Sequence, residues 1–307
     1  MNLVTTLGGL AMDDLGQVLP HEHVVADFRA LREREPRSAH PVRAISSLIE
    51  PEVLQALSRG VTAIVDATPV GIGRRPDAVE AISTATGMPF CMATGVYREP
   101  WIPGWIRDLS YTELVDWLMT ELTDRVVGGS VPAGWIKLSA SDDGMAPEER
   151  RILRAAARAG QLAGAAIGSH STGADLVEAQ LDLLESEGFP ADRFIWIHAQ
   201  LEPDRNRHRA LAQRGCWIEY DGVGVWPRLE EYVSLISDLA DDGFADRILV
   251  SQDAGWYNPG DPGGGLVNGP YTRVHDQLIP LMRRSGFDDD LVHQIWTKNP
   301  FLAFARQ

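Results

Sequence analysis

The sequence predicts a single (β/α)8 barrel, and three observations carry the prediction. Eight short apolar runs recur along the 307 residues, helical patterns lie between them, and no low-complexity stretch or break in composition divides the chain. A chain of this length can bury a large core as one domain spanning 1–307. A doubly wound sheet is the alternative arrangement of the same alternation.

In order, the expected strands are 17–24 (QVLPHEHV), 61–68 (VTAIVDAT), 89–96 (PFCMATGV), 134–140 (GWIKLSA), 165–170 (AAIGSH), 193–199 (RFIWIHA), 216–222 (CWIEYDG) and 247–254 (RILVSQDA). Between them, 146–164 reads as a helix with Pro147 in its first turn and acids just after it. The segment 173–189 reads as another, ending near Gly188. Glycine and proline gather in 256–270 (WYNPGDPGGGLVNGP), a long loop after the eighth strand that reads as a lid or pocket wall. Its DPGGG lacks the lysine and the Ser or Thr of a phosphate loop, which argues against nucleotide binding.

A formal charge of -15 argues against nucleic acid or an anionic membrane as partner. The first residues lack a basic region and carry Asp13 and Asp14, and no run of 18 uncharged apolar residues occurs, so a soluble, cytoplasmic protein is expected. Cys91 and Cys216 each open an apolar run and read as buried thiols. His40, His208, His275 and His293 lie in polar or helical stretches and read as surface residues.

The polar residues at strand ends carry the chemistry. In a strand, His21 and His23 share a face while Glu22 points away. His170 ends the fifth strand, His198 the sixth and Asp253 the eighth, at the rim where such barrels place their active sites. Four imidazoles and a carboxylate make a poor apolar core but match the donor preferences of zinc and neighbouring divalent metals. Of the 28 basic residues only Lys137 and Lys298 are lysines, and Lys137 falls at the end of the apolar fourth strand. A protonated ammonium there would repel a metal, whereas a neutral amine can react with carbon dioxide to give a carbamate able to bridge two ions. The plainer alternative pairs Lys137 with Asp142 or Asp143.

With these residues placed, GQVLPHEHV resembles the N-terminal signature of the phosphotriesterase family, within the amidohydrolase superfamily. The order HxH, lysine, histidine, histidine, aspartate continues the resemblance over nearly the whole chain, with family-like flanks GVTAIVDATPVGIGR and ATGVY. Val18 stands where the family signature has threonine. The resemblance implies two divalent ions, zinc by default with Mn, Co or Fe as alternatives. It implies a more buried ion on His21, His23 and Asp253, a more exposed one on His170 and His198, and a bridge of carbamylated Lys137 and hydroxide. A homodimer is implied as well. Asp253 is the expected proton acceptor and relay.

Substrate classes within the family are phosphotriesters, lactones and other esters. Tyr97 resembles the tyrosine of the lactonase branch, while IEYDGVG lacks the arginine expected of acyl-homoserine lactonases. Tyr97, Trp256 and Tyr257 are the expected substrate-binding residues, with Arg98, Trp101, Trp226, Arg228 and Arg273 as further wall candidates. The reading is a metal-dependent hydrolase of a lactone or ester. The alternatives are organophosphate hydrolysis as the main activity, or a metal-containing protein that binds a ligand without turnover. A mononuclear deaminase would need an acid where HSTG places Gly173.

Overall fold

The computed structural model describes residues 1–261 and 265–306. Eight parallel strands form one sheet in sequence order: β1 (Gln17–Glu22), β2 (Val61–Asp66), β3 (Phe90–Thr94), β4 (Trp135–Ser139), β5 (Ile167–His170), β6 (Phe194–Ile197), β7 (Trp217–Tyr220) and β8 (Ile248–Val250). This is the (β/α)8 barrel expected from the alternation, not a doubly wound sheet, because each strand pairs with its sequence neighbour. The strands are shorter than their apolar runs at the C-terminal end. There the backbone leaves the ladder to present side chains, and His198 (φ 68°) and Asp253 (φ 46°) take left-handed conformations.

No ladder joins β8 to β1 among the described residues, and side-chain bonds hold that seam. Glu22 accepts from the Ser251 hydroxyl at 2.6 Å and from the Ala254 amide at 2.8 Å, and the His23 amide reaches Ala254 O at 3.4 Å. Glu22 therefore points away from the two histidines, as expected, and is fully enclosed between the first and last strands.

Seven longer helices surround the strands: α1 (Val42–Ser58), α2 (Pro76–Thr86), α3 (Tyr111–Thr123), α4 (Pro147–Ala163), α5 (Ala174–Ser186), α6 (Arg205–Gln213) and α7 (Leu229–Leu239). Pro147 opens α4 followed by Glu148 and Glu149, and Gly164 ends it at φ 65°, as the sequence pattern requires. Ser110 and Glu113 cap α3 reciprocally, each side chain taking the other's backbone amide. The outer core lies between strands and helices, where Ile64, Phe90, Ile136 and Ile218 meet Ile45, Ile49, Leu114 and Leu118.

A second apolar cluster fills the barrel's lower interior, with Val18, Ala63, Cys91, Trp135, Ile195 and Leu249 pointing inward. Phe304 stacks edge-on against Trp135 at 5.0 Å, and a hairpin of Leu3–Thr5 with Gly8–Leu10 packs Leu3 into the same cluster. With its base filled, the barrel has room for polar groups only toward the opposite rim. Both cysteines are free and buried, and burial pushes both thiols up to about 12. Among the described residues no helix is long and apolar enough to cross a membrane.

Three of the four histidines expected at the surface are placed otherwise. His208 is buried on α6 between the Tyr220 hydroxyl (2.9 Å) and Glu202 O (3.1 Å), because the polar residues beside it occupy the helix's outer face. His40 is partly buried against the Tyr257 hydroxyl, and the ring nitrogens of His275 are enclosed without hydrogen-bond partners. His293 is exposed, as expected.

Candidate metal centre

The spacing of His21 and His23 aims them inward only because β1 is irregular. From Leu19 to Glu22 the chain takes three steps while β2 takes two, from Ile64 to Asp66. This bulge around Pro20 flips the side-chain parity, so Val18 points into the lower core and His21 and His23 also face the axis above it. Asp66 fixes the turn beyond β1 by accepting from the Val24 and Thr68 amides at 3.1 and 2.9 Å.

His21, His23, Lys137, His170, His198 and Asp253 all line one cavity of about 50 Å³ at the C-terminal rim. The His170 and His198 ring centroids lie 4.3 Å apart, and His21 lies 5.3 Å from His23 and 5.5 Å from His198. Asp253 Oδ1 sits 3.1 Å from His23 Nε2 and 3.6 Å from His21 Nε2. The donor atoms of His21, His23 and Asp253 are close enough together to share one ion.

Partners behind the rings orient them. His21 Nδ1 lies 3.0 Å from Glu219 Oε2, His23 Nδ1 2.7 Å from the Thr68 hydroxyl, and His198 Nδ1 2.7 Å from Asp221 Oδ1. In these three rings Nδ1 is taken, and the Nε2 of His23 meets Asp253 within the cavity. His21 Nε2 is fully enclosed with no hydrogen-bond partner among the described residues, a buried donor atom of the kind that suits a cation. His170 Nδ1 lies 3.4 Å from the Tyr97 hydroxyl.

Electrostatics match this donor set. Burial, then the charge of Lys137 and the other histidines, holds His21 well below the usual imidazole range, and burial with His198 does the same for His170. Both rings are therefore neutral donors at physiological pH. Burial pushes the Asp253 carboxyl up, but the hydrogen bond to His23 and the charges of His23, His198 and Lys137 outweigh it and hold it below the ordinary aspartate range. Lys137 is 2% exposed, and burial pulls its pKa down to about 8 against the opposing pull of Glu219, Asp221 and Asp253. Gly95, at φ 109°, lets the chain after β3 approach the Lys137 carbonyl, where a Cβ would lie 2.1 Å from the oxygen. The alternative of a lysine paired in the following loop is not met: Asp142 pairs with Arg98 at 2.8 Å and Thr172 at 2.7 Å, and Asp143 is exposed.

Of the residues expected to bind substrate, Tyr97 and Trp256 line the cavity and Tyr257 does not. Alternation along Trp256–Asn258 sends Tyr257 to the opposite face, where its hydroxyl meets His40 Nδ1 at 3.1 Å. Pro262, Gly263 and Gly264 of the expected lid lie outside the described residues; the flanks Trp256–Asn258 and Gly265–Val267 form a hairpin. Arg98 is tied to Asp142 and Ala140 O, Arg273 to Gly224 O, and Arg228 and Trp226 are exposed; none of these lines the cavity. Gly222 leaves no space for an arginine, since a Cβ there would lie 2.9 Å from Trp226 O and from the Tyr232 hydroxyl.

Phe28 and Ile72, also in the wall, were not singled out by the sequence. Phe28 is 44% exposed and packs edge-on at 5.9 Å from Tyr97, 6.2 Å from Trp101 and 6.3 Å from Trp256, with the Trp101 indole donating to its carbonyl. Glu219 and Asp221 were missed as well. Two acids in an otherwise apolar strand, E-x-D in CWIEYDG, were the available signal.

The sequence profile of the phosphotriesterase family matches residues 1–304. A phosphotriesterase homology protein of Mycobacterium tuberculosis is 28% identical over 99% of this chain and 98% of its own length. Among solved structures, a variant of the organophosphorus hydrolase of Deinococcus radiodurans superposes with a TM-score of 0.86 at 28% identity, covering 99% of this chain and 98% of that one. A weak promiscuous lactonase engineered toward organophosphate hydrolysis gives 0.83 at 28% identity, covering 99% and 100%.

Proposed function

Because this chain belongs to the phosphotriesterase family, we propose that it is a binuclear metal-dependent hydrolase of lactones or simple carboxylic esters, with organophosphate hydrolysis as a lesser activity. The observation that carries the reading is the convergence of four imidazoles, Lys137 and Asp253 on one cavity, with His21 Nε2 buried and unpartnered. Relatives acting on organophosphates and lactones share the barrel.

In this reading His21, His23 and Asp253 hold one divalent ion and His170 and His198 a second, zinc by default, with Mn, Co or Fe equally suited to nitrogen and oxygen donors. Lys137 joins them as a carbamate: its neutral amine forms an N–C bond to carbon dioxide and loses a proton. That amine belongs to a side chain that is buried and lines the cavity with the four imidazoles and Asp253. The bound ions would supply water acidified to near neutrality and a Lewis acid for the carbonyl.

The chain's own groups do the rest. Asp253 is placed to accept the proton of the attacking water at a carboxylate oxygen and pass it to the departing alkoxide. Tyr97, pushed up to about 12 by burial, keeps its phenolic proton at neutral pH and donates a hydrogen bond to the substrate. Phe28, Ile72 and Trp256 exclude water and favour a compact apolar acyl part. Gly222 offers no side chain to a homoserine amide, which directs the reading to other lactones.

The test is proton release by zinc- or manganese-loaded protein, in bicarbonate, against simple, acyl-homoserine and sugar lactones and one aryl phosphotriester. Turnover led by a simple or sugar lactone supports the reading. A leading phosphotriester makes organophosphate hydrolysis the main activity, and binding without product in a two-metal protein supports a ligand-binding role. The reading includes a homodimer, which light scattering checks, and a cytoplasmic location.

A further inference from the structure

Glu219 on β7 and Asp221 just beyond its end are two buried carboxylates two residues apart, both turned toward the barrel axis beneath the candidate metal centre. Their commitments differ. Asp221 is fully used: Oδ1 takes the His198 ring and the Gln200 amide, and Oδ2 takes the His198 backbone amide. Glu219 has one partner, His21 Nδ1 at 3.0 Å from Oε2, while Oε1 is buried without a hydrogen-bond partner. The nearer oxygen of Asp221 is 3.5 Å from the same nitrogen, so Glu219 is the acceptor for His21.

Resting on the metal-centre reading above, we propose that Glu219 is the positioning residue for the ion held by His21, His23 and Asp253. It fixes the His21 ring with Nε2 facing the cavity and, with the ion bound, sets a negative charge behind it. A buried carboxylate with one orphaned oxygen is unfavourable in the protein alone. Its position becomes favourable when a cation binds to the far side of the imidazole. The carboxylate draws the Nδ1 proton toward itself, Nε2 becomes a stronger donor, and the negative charge offsets that of the ion. Asp221 stands in the same relation to His198, so β7 and the residue that follows it supply one carboxylate to a ligand of each ion. Neither acid touches the cavity itself.

Chelator competition with Zn and Co on full-length wild type and Glu219→Gln tests this, with the Co absorption bands and the metal-free thermal midpoint read alongside. The glutamine keeps an acceptor for His21 but removes the charge. The expected result is a loss of about 10- to 100-fold in affinity for one ion, a shift in its Co spectrum, little change at the second ion and no drop in the metal-free midpoint. Unchanged affinities, or equal losses at both ions, would overturn the assignment. The wild type gives an independent arm should the variant not fold. In ¹⁵N-histidine-labelled, zinc-loaded protein the His21 Nδ1 proton should resonate far downfield and exchange slowly, and its absence would overturn the proposal. Wild-type protein that takes up no metal fails the parent reading, whereas two tightly bound ions that ignore Glu219→Gln fail this inference alone.

Discussion

Asp221 holds His198 twice, by the ring at 2.7 Å and by the backbone amide at 2.9 Å, and so fixes a residue whose φ of 68° few non-glycine residues adopt. Such a conformation persists only where its surroundings over-determine it. Asp253, at φ 46°, is secured comparably, since Asn268 donates to its carbonyl at 3.0 Å. The strained backbone thus falls on two candidate ligands and on Asn268 (φ 59°), which braces one of them.

Asp221→Asn keeps the size of the side chain but removes the charge that orients His198. Turnover and affinity for the second ion should each fall about 10- to 100-fold, read by hydrolysis rates and metal titration. A folded variant with unchanged metal content and rate would contradict this role.

Glu22→Gln tests the seam between β8 and β1. The amide cannot accept from both the Ser251 hydroxyl and the Ala254 amide, and an unsatisfied donor stays buried. A loss of about 1–3 kcal/mol in unfolding free energy is expected, measured by urea denaturation of the metal-free protein. An unchanged midpoint would show that the seam is held by other contacts.

How much of this was legible in the sequence differs by feature. The barrel was, because apolar runs and helical periodicity report burial directly. The six clustered polar residues were too, since they end apolar strands where a polar group needs a reason. The bulge at Pro20 was not: plain alternation cannot place Val18 in the lower core and also aim His21 and His23 at the axis. Nor was Phe28, an isolated aromatic in a loop whose partners Tyr97, Trp101 and Trp256 arrive from two other loops. Tyr257 was misplaced because its strand follows a turn that sets the parity locally, and His208 because a polar segment still has an inner face.

His208 gives a pH prediction away from the metal centre. Burial pulls its pKa down to about 4, below the unfolded value of 6.5, so the unfolded chain binds the extra proton between those values. Its contribution is complete above pH 6.5 and is lost as the pH falls toward 4, on the order of 3 kcal/mol across that window. His208→Gln should flatten the acid limb of stability against pH. An equally steep limb in the variant would place the titration elsewhere.

Tyr97→Phe keeps the ring against Phe28, Trp101 and His170 and removes only the hydroxyl. A fall of about tenfold or more in kcat on the preferred lactone, with KM little changed, is expected if the hydroxyl acts in the transition state. A rise in KM alone would make Tyr97 a binding wall.

In the proposed function Lys137 and the five other inward-facing groups build one centre for two ions. Metal stoichiometry and lactone turnover, measured together on wild type and Lys137→Ala purified in bicarbonate, test it most directly. Two ions per wild-type chain are expected, and a folded variant with lowered metal content and turnover reduced by orders of magnitude. Two ions and full turnover in the folded variant, or a wild type that hydrolyses lactones without metal, would contradict it.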